Sequence, residues 1–368
     1  MVDPDMAYKG DVTDVRAIRV LERGTSFNRL WQPFIAVWED HHLVVTYGRH
    51  LRGKVDMGDV LAVVSRDDGR TWSEPALVFD HREPVGRCRY AYANSVLYHP
   101  PDQRIIWCYA MRCPHHYRDS EDSELCAAYS VDGGLSWQQI ELAVDYHQPL
   151  ITCAGIYRCE EEGRVRYLLP VHRNTLRHDP GGDQRQLVLE STSLIEWKLA
   201  GYVPQPEARG EDSGRIFMHE GNIDHGDRPG ELKIVMRTSL YGSRGGALEP
   251  PCAYSSTSPD GGRTWAPARQ EPFLYNAVSK AYFGCAGEDT HVYVYSTGPA
   301  GERKAMAYVV KPPSGEWSEP RPFYDAEVPN SYPTLLEYEP GRFYAVWDSS
   351  NEPDVKRTVI RFGRFQLS

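Results

Sequence analysis

The residues of this chain that could do chemistry lie in short segments far apart in the sequence. Glu220 lies in Met218-His-Glu220-Gly, Arg237 follows in the next predicted strand, and Tyr332 lies in Asn330-Ser-Tyr332-Pro. A phenol with a pKa near 10 acts as a nucleophile only when a neighbouring base accepts its proton, and a carboxylate can be that base. No Walker loop, G-x-S-x-G or H-E-x-x-H motif is present. Since the chain has 23 tyrosines, residue type alone does not select Tyr332.

Any element that positions these residues must belong to a repeat, because one octapeptide occurs three times. The copies at residues 65–72, 130–137 and 258–265 read SRDDGRTW, SVDGGLSW and SPDGGRTW. The shared pattern is S-x-D-x-G-x-[ST]-W. Its Ser and Asp can bond backbone N–H groups a few residues on, its Gly adopts positive φ, and its Trp covers a hairpin. The pattern therefore predicts the same β-turn at three places.

The spacing of these turns predicts the architecture. Degenerate copies at residues 192–197 and 313–317 complete a series of tryptophans 52 to 68 residues apart: Trp72, Trp137, Trp197, Trp265 and Trp317. Five turns, with a sixth unit closed by the two chain ends, give repeats of about sixty residues and account for the 368 residues. Short β-rich runs alternate with turn residues, and no stretch has a helical period. The sequence predicts one all-β domain over residues 1–368.

The octapeptide resembles the Asp-box of the sialidase (neuraminidase) superfamily, also called the BNR repeat. In that family the box closes the outer hairpin of successive blades, so the resemblance implies a six-bladed β-propeller with Asp-box hairpins. The boxes are structural in the family and lie away from its active face. We therefore expect the chemistry of this chain in loops at the other end of a central channel.

The resemblance extends to the candidate catalytic segments. Residues 218–238 are similar to the sialidase segment whose glutamate polarises a tyrosine nucleophile and whose arginine binds the substrate carboxylate; Glu220 and Arg237 hold those positions. Residues 330–335 are similar to the segment that carries the tyrosine, which implies that Tyr332 is the nucleophile. A neutral phenol suits an anomeric carbon beside a carboxylate, because an anionic nucleophile would be repelled.

The arginines that would hold the substrate carboxylate match the family unevenly. Arg303 lies in a segment similar to the one that carries the last arginine of the sialidase triad. In the first repeat, Trp31 stands where the family has its first arginine. Arg29 lies two residues earlier, on the same face of a strand, so two alternatives stay open: Arg29 substitutes for the first arginine, or the first arginine is absent. Arg49 resembles a further pocket arginine. The replacement at Trp31 weakens the case for sialic acid itself.

The acid/base position has two candidates. Asp56 falls in the loop that carries the family's catalytic aspartate, and Asp59 is its rival. We favour Asp56 as the acid/base and expect Asp59 to line the substrate pocket. A catalytic acid must be protonated when it meets the leaving group, so partial burial should raise its pKa.

Composition excludes several other classes. A net charge of −10 argues against nucleic-acid binding, which needs a basic face. No apolar run reaches the roughly 20 residues that span a membrane, and the eight cysteines lack zinc-site spacing. We expect no metal and no cofactor. The first residues lack a signal-peptide pattern, so the sequence as given predicts a cytoplasmic protein, or a secreted one if a signal has been removed.

The sequence therefore predicts an exo-acting, retaining glycoside hydrolase that cleaves a terminal acidic sugar from a glycan or glycoconjugate. Two alternatives remain open. Related propellers act on other glycans as glycosidases or polysaccharide lyases, and the tryptophan at position 31 favours this alternative. A non-catalytic carbohydrate-binding propeller is the other, but a pure binder need not keep Glu220, Tyr332 and Asp56 together.

Overall fold

The computed structural model describes residues 10–117, 123–147, 149–161, 163–173, 186–206, 216–240, 250–276, 278–287, 289–299, 302–326, 328–352 and 358–367. Within these ranges the chain is all-β: it forms 27 strands and no helix. Accordingly, no described helix has the length and apolarity to cross a membrane.

The strands are short and follow one another closely along the chain. The first fourteen are β1 (Val12–Val20), β2 (Phe27–Glu39), β3 (His42–Leu51), β4 (Gly58–Ser65), β5 (Ala76–Phe79), β6 (Pro84–Val85), β7 (Cys88–Tyr98), β8 (Ile106–Pro114), β9 (Glu124–Ser130), β10 (Gln138–Ile140), β11 (Ala143–Asp145), β12 (Leu150–Thr152), β13 (Tyr157–Glu161) and β14 (Arg164–Arg173). The others are β15 (Gln186–Ser191), β16 (Glu196–Tyr202), β17 (Ile216–His225), β18 (Leu232–Leu240), β19 (Cys252–Ser258), β20 (Arg269–Tyr275), β21 (Tyr282–Ala286), β22 (Thr290–Ser296), β23 (Met306–Lys311), β24 (Arg321–Tyr324), β25 (Ser331–Glu339), β26 (Arg342–Ser349) and β27 (Val359–Gln366).

Most strands pair with their neighbours in sequence, in antiparallel meanders. Two described sheets have the simple orders β17-β18-β19-β20 and β21-β22-β23-β24. A third has the order β1-β27-β26-β25, so the first described strand pairs with the last. In the six-stranded sheet, β12 and β13 both pair with β14, and β11 lies parallel to β16. Pairing of the two chain ends closes the structure on itself, which leaves fewer exposed sheet edges.

The remaining sheet contains two meanders in one. Its nine strands include the runs β2-β3-β4-β5 and β7-β8-β9-β10, and one residue pair, Gly58 with Tyr92, joins β4 to β7. The five described sheets therefore do not correspond one to one to the six predicted blades.

The innermost strands form a closed circuit, which gives the molecule a propeller-like arrangement. Strand β2 contacts β7 and β25, β7 contacts β12, β14 contacts β17, β17 contacts β21, and β21 contacts β25. Apolar clusters fill the space between neighbouring sheets. One of them packs Phe323 and Trp347 against Phe365, with ring centroids 5.1 to 5.9 Å apart. Each sheet thus buries its faces against the next.

The repeated octapeptides form the same turn in all three places. In the third copy, the Ser258 hydroxyl accepts a bond from the Gly262 N–H at 2.8 Å, and Trp265 Nε1 donates to the Gly262 carbonyl at 3.0 Å. Asp260 accepts bonds from the N–H and hydroxyl of Thr264 at 2.8 and 2.6 Å. The equivalent bonds occur in the turns at residues 65–72 and 130–137. These bonds span at most four residues, so the eight residues specify their own turn.

Removing the aspartate from one of these turns should lower stability. Asp260 accepts four hydrogen bonds, from Ser258, Arg263 and twice from Thr264. We expect Asp260→Ala to reduce the free energy of unfolding by about 1–3 kcal/mol, because two backbone N–H groups lose their acceptor. Denaturant unfolding measures the change. The control is Asp102→Ala at an exposed turn residue; equal effects of the two substitutions would contradict the prediction.

Candidate active site

Four inner strands carry the same β-bulge near the centre of the molecule. In each of the strands β2, β7, β17 and β25, the register with the neighbouring strand is interrupted at two consecutive residues, and the first of these two has positive φ. These residues are Gln32, Asn94, Glu220 and Tyr332, with φ between 51° and 56°. Non-glycine residues in this conformation carry a cost of order 1–3 kcal/mol and cluster at functional sites. The same strained backbone conformation therefore recurs in four inner strands, and in two of them it presents Glu220 and Tyr332.

The bulge of strand β17 depends on a glycine and a buried glutamine. A Cβ atom at Gly221 would lie 2.8 Å from the side chain of Ile234, so a larger residue does not fit there. The Gly221 N–H donates to Gln186 Oε1 at 2.8 Å, and Gln186 Nε2 donates to the carbonyl of Val171. Strands β14 and β15 thereby fix the backbone that presents Glu220.

Tyr332, Glu220 and Arg237 form a closed triangle of hydrogen bonds. The Tyr332 hydroxyl donates to Glu220 Oε1 at 3.0 Å, and an Arg237 nitrogen donates both to Glu220 Oε2 at 2.8 Å and to the Tyr332 oxygen at 2.9 Å. Tyr332 and Glu220 are 2% and 6% exposed. The phenol thus has a carboxylate that can accept its proton and a cation that can stabilise the resulting phenolate.

The electrostatics of this triangle keep Glu220 charged. Burial is the largest single effect and acts to raise the pKa of Glu220. The charge and hydrogen bond of Arg237, together with the neighbouring His219 and His172, outweigh it, and the pKa lies well below its usual range. Burial likewise acts to lower the pKa of Arg237, whereas Glu220 holds it above its usual value. The pair is therefore ionic throughout the physiological pH range.

Two buried histidines lie beside the triangle, and both are neutral. Burial lowers the pKa of His172 to about 4, and it lowers the pKa of His219 further below its ordinary value. Their rings are edge to face, with centroids 5.3 Å apart. His219 directly precedes Glu220 and pairs across the strands with Arg237. Neutral rings here avoid adding a second positive charge beside the guanidinium.

The ring of Tyr332 is held between an aromatic side chain and a cation. Trp31 meets it edge to face, with centroids 5.1 Å apart, and the Arg303 guanidinium lies 5.2 Å from the Tyr332 ring centre. Arg303 donates to the carbonyl of Val278 at 2.8 Å. Of the predicted site residues, the structure therefore brings Tyr332, Glu220, Arg237 and Arg303 together around Trp31, the tryptophan at the place of the first arginine.

Arg29 and Asp56 form a separate pair next to Trp31. An Arg29 nitrogen lies 3.1 Å from Asp56 Oδ1, and both side chains remain partly exposed. The guanidinium of Arg29 lies 5.9 Å from the ring centre of Trp31, so the two are neighbours on strand β2. Asp56 is thus connected to the Tyr332 triangle through Arg29 and Trp31.

Arg49 and Asp59 form a second, more deeply buried pair. Asp59 is fully buried; its Oδ2 accepts two N–H groups of Arg49, and its Oδ1 accepts the His81 backbone N–H at 3.0 Å and lies 2.5 Å from His81 Nδ1. The guanidinium of Arg49 also lies 4.0 Å from the ring centre of Phe27. Both carboxylate oxygens are therefore occupied, and Asp59 is a partner for Arg49 rather than a hydrated loop residue.

One group of three potential metal ligands occurs in the part of the chain that the structure describes. Ligand atoms of Asp59, Asp80 and His81 lie within 4.8 Å of one another. However, Arg49 pairs with Asp59, and Arg82 pairs with Asp80 at 2.6 Å. The geometry is that of an ion-pair network in which cations already neutralise the carboxylates.

Several polar atoms around the triangle have no hydrogen-bond partner among the described residues. These buried atoms are Gln32 Oε1, Asn94 Oδ1, His172 Nδ1, His219 Nε2 and Arg237 Nε. Buried polar atoms are normally paired, so a cluster of unpaired ones indicates a place for a polar ligand or water. The sequence offered only a weak signal for these residues. His219 directly precedes Glu220, and Gln32 directly follows Trp31. In the structure, Gln32, Asn94 and His219 lie at or next to a bulge.

Comparison with known structures identifies the architecture. The Hadza microbial sialidase Hz136 aligns with 96% of this chain and 68% of its own, with a TM-score of 0.71 and 16% identity. The NanB sialidase of Streptococcus pneumoniae aligns with 96% of this chain and 70% of its own, with a TM-score of 0.68 and 11% identity. The chain has the sialidase fold. A protein of unknown function from Dyadobacter fermentans shares this fold over 96% of this chain and 99% of its own, with a TM-score of 0.69 and 16% identity. No protein-family model and no curated protein matches the sequence.

The buried histidines of this sialidase-fold protein should make its stability depend on pH. Because the pKa of His172 is about 4 in the folded chain and near 6.5 in the unfolded one, the unfolded state binds more protons between these values. Stability should therefore fall as the pH drops from about 6.5 to 4. We expect His172→Gln to reduce the slope of unfolding free energy against pH by up to about 1.4 kcal/mol per unit.

Denaturant unfolding at several pH values measures this slope. The matched control is His147→Gln at an exposed histidine, which should leave the slope unchanged. The same slope in the wild type and in His172→Gln would contradict the assignment of a neutral, buried imidazole.

Proposed function

We propose that this protein is an exo-acting, retaining glycoside hydrolase that removes a terminal acidic, sialic-acid-like sugar from a glycan or glycoconjugate. The observation that carries the proposal is the hydrogen-bonded triangle in which the Tyr332 hydroxyl lies 3.0 Å from Glu220 and 2.9 Å from Arg237. A buried phenol between a carboxylate and a guanidinium is the arrangement that an activated tyrosine nucleophile needs. The sialidase fold gives this reading of the triangle its context.

In the first step, the Tyr332 oxygen forms a bond to the anomeric carbon and the glycosidic bond breaks. The phenolic proton passes to Glu220, and the departing oxygen takes a proton from Asp56. In the second step, water attacks the anomeric carbon and gives its proton to Asp56. The bond to Tyr332 then breaks, and the phenol recovers its proton from Glu220. Two displacements at one carbon retain its configuration.

The charges of the triangle suit this sequence. Glu220 alone is a weak base, since Arg237 holds its pKa low. Arg237 also bonds to the Tyr332 oxygen, so it lowers the cost of forming the phenolate. A substrate carboxylate bound to Arg237 would share the positive charge and make Glu220 more basic. Substrate binding and activation of the nucleophile are thereby coupled through one guanidinium.

The substrate carboxylate would bind between Arg237 and Arg303. Both guanidiniums lie next to Tyr332, and arginine binds carboxylates with two parallel N–H bonds. Arg29 and Arg49 are the candidates for a third cation. Each already pairs with an aspartate, Asp56 and Asp59 respectively, so either would have to share its guanidinium with the substrate.

Asp56 is the better candidate for the acid/base. It lies in the loop between β3 and β4, and its side chain is 36% exposed, so it can exchange Arg29 for a leaving-group oxygen. Asp59 is enclosed, and its two oxygens are bound to Arg49 and His81. A carboxylate held in this way cannot approach a substrate without breaking those bonds. We assign Asp59 the role of holding Arg49 at the pocket wall.

We also infer that the propeller has six blades. The nine-stranded sheet divides into two four-stranded meanders that a single residue pair links. Counting these two separately with the other four sheets gives six units. The circuit of inner-strand contacts and the spacing of the octapeptide turns support the same count.

A second candidate function keeps the fold and the nucleophile but changes the sugar. Trp31 fills the place of the first arginine and packs against Tyr332, so this part of the pocket offers an aromatic surface instead of a cation. The face of an aromatic ring is the negative part of its quadrupole, so it favours the C–H surface of a sugar over a carboxylate. A hydrolase or lyase for another glycan would use such a surface. A panel of aryl glycosides, with and without a carboxylate at the anomeric carbon, separates the two functions.

The nucleophile assignment predicts the behaviour of Tyr332→Phe. We expect this variant to lower kcat/KM for an aryl α-sialoside by about 1,000-fold or more, because no oxygen remains to attack the anomeric carbon. Glu220→Gln should lower it by about 100- to 10,000-fold, since the amide cannot accept the phenolic proton. The rate of aryl release by the purified wild type and variants is the measurement.

The matched control is Tyr109→Phe. Tyr109 is fully buried and donates to the carbonyl of Leu194 at 2.6 Å, away from the candidate site. It should lose stability and keep its activity. If the wild type cleaves the sialoside and Tyr332→Phe cleaves it equally well, Tyr332 is not the nucleophile. If the wild type cleaves only another glycoside of the panel, the second candidate function replaces the first.

The acid/base assignment predicts a dependence on the leaving group. Asp56→Asn should lower the rate about 100- to 10,000-fold for an alkyl or sugar leaving group, which needs a proton. It should affect a nitrophenyl leaving group far less in the first step, because that phenolate departs without one. The comparison is Asp59→Asn, expected to lower stability through the lost pairing with Arg49. A leaving-group effect in Asp59→Asn and none in Asp56→Asn would reverse the assignment.

A further inference from the structure

A cavity lies on the other side of the four bulges from the Tyr332 triangle, and we call it the second cavity to distinguish it from the candidate active site. It has a volume of about 830 Å³, and the inner-strand residues that line it follow the bulges: Phe34 in β2, Leu97 in β7, Asn222 in β17 and Thr334 in β25. Glu220 and Tyr332 precede those positions on β17 and β25. The bulges thus lie between this cavity and the Tyr332 triangle, and every residue that lines the cavity is described by the structure.

A buried lysine reaches into this second cavity. Lys280 is 3% exposed, lies just before strand β21 and contributes to the cavity wall. Its ammonium nitrogen is 3.4 Å from the hydroxyl oxygen of Thr334 and 5.6 Å from the ring centre of Phe34. The Thr334 hydroxyl donates its own proton to the carbonyl of Pro33, so it is an acceptor for the lysine. An ammonium has three protons, and one long hydrogen bond leaves two of them available.

Lys280 has no carboxylate oxygen within 4.0 Å among the described ion pairs, in contrast with Lys233, the other buried lysine among the described residues. Lys233 is 5% exposed and lies 2.7 Å from Glu271. Glu220 and Asp348 act on Lys280 only through longer-range attraction, and burial lowers its pKa. A buried charge without a partner is costly, because it loses the solvation that water provides.

Of the four acidic side chains that line the same cavity, three are engaged elsewhere, whereas Asp40 is exposed at the surface. Glu339 pairs with Arg342 at 2.8 Å. Asp224 Oδ2 accepts the N–H of Cys285 at 2.8 Å. Glu337 Oε1 accepts the N–H groups of Gly287 and Gly341 at 2.8 and 2.7 Å. These carboxylates hold strand ends and loops at the rim. The inner end of the cavity, by contrast, combines an ammonium group with apolar walls.

We propose that this cavity is a second ligand site, which binds a small organic carboxylate with its charged end on Lys280. The carboxylate supplies an anion that no described residue places within 4.0 Å of the ammonium, and its apolar body packs against Phe34, Leu97 and Leu335. A charge-assisted hydrogen bond inside a low-dielectric cavity is stronger than one in water. The site is separate from the proposed glycosidase centre and does not depend on its activity.

Benzoate and benzamide are probes that differ in charge but have nearly the same shape. We expect isothermal titration calorimetry to show benzoate binding to the wild type and benzamide binding at least about 10-fold more weakly. Lys280→Met keeps the apolar stem and removes the ammonium, so it should weaken benzoate binding at least about 10-fold and leave benzamide unchanged. Arg303→Met tests the other cationic pocket and should leave benzoate binding at the second cavity intact.

A crystal of the wild type soaked with 4-bromobenzoate locates the ligand without any substitution. Bromine density in the second cavity, with the carboxylate about 3 Å from Lys280 Nζ, is the expected result. Density only beside Arg237 and Arg303, or none at a concentration that saturates binding, overturns the proposal. Benzoate binding that Lys280→Met leaves unchanged, in a variant with wild-type thermal stability, also overturns it. Thermal unfolding of each variant establishes whether it is folded.

Discussion

The candidate active site depends on the hydrogen bonds that one guanidinium donates to two side-chain oxygens from different sheets. Arg237 donates to Glu220 on its own sheet and to Tyr332, which comes from the sheet that the chain ends close. The two oxygen-bearing residues are 112 positions apart in the sequence. They meet because the inner strands form a closed circuit, and because β17 has a bulge at Glu220 and β25 has one at Tyr332. A shift in the register of β17 or β25 would separate the pair, since the bulge sets where the side chain points.

The charges at the centre explain why the surrounding groups are polar but mostly neutral. Glu220 and Arg237 compensate each other in the buried interior, and the imidazoles of His172 and His219 stay uncharged there. A protonated histidine beside Arg237 would add a like charge at low dielectric, which is unfavourable. Under the proposed function, the unpaired nitrogen and oxygen atoms of these neighbours would accept or donate bonds to the hydroxyl groups of a sugar at little electrostatic cost.

The first repeat distinguishes this chain from a simple copy of the sialidase pocket pattern. Trp31 packs on Tyr332 and is itself neighboured by Arg29, which Asp56 holds. The arginines Arg29 and Arg49 of this repeat are thus each bound to a carboxylate, and the ring of Trp31 packs directly on Tyr332. Specificity is expected to be decided here, because the Tyr332 triangle would serve any sugar that brings its anomeric carbon within reach. The low identities to known sialidases are consistent with a pocket that has diverged while the strands around it kept their arrangement.

The sequence by itself determined the repeated turns and, through their spacing, an all-β propeller-like chain. Those turns are predictable because their hydrogen bonds span at most four residues, so Ser258, Asp260 and Trp265 suffice without distant partners. The matched segments also indicated Glu220, Arg237 and Tyr332 as a group. Only the tertiary structure decided that Asp59 is enclosed by Arg49 and His81, that Arg29 joins Asp56, and that Lys280 lies buried in a second cavity. These contacts depend on strand register, bulge geometry and the closure of the ring. Those features arise from packing between sheets, which no short stretch of sequence encodes.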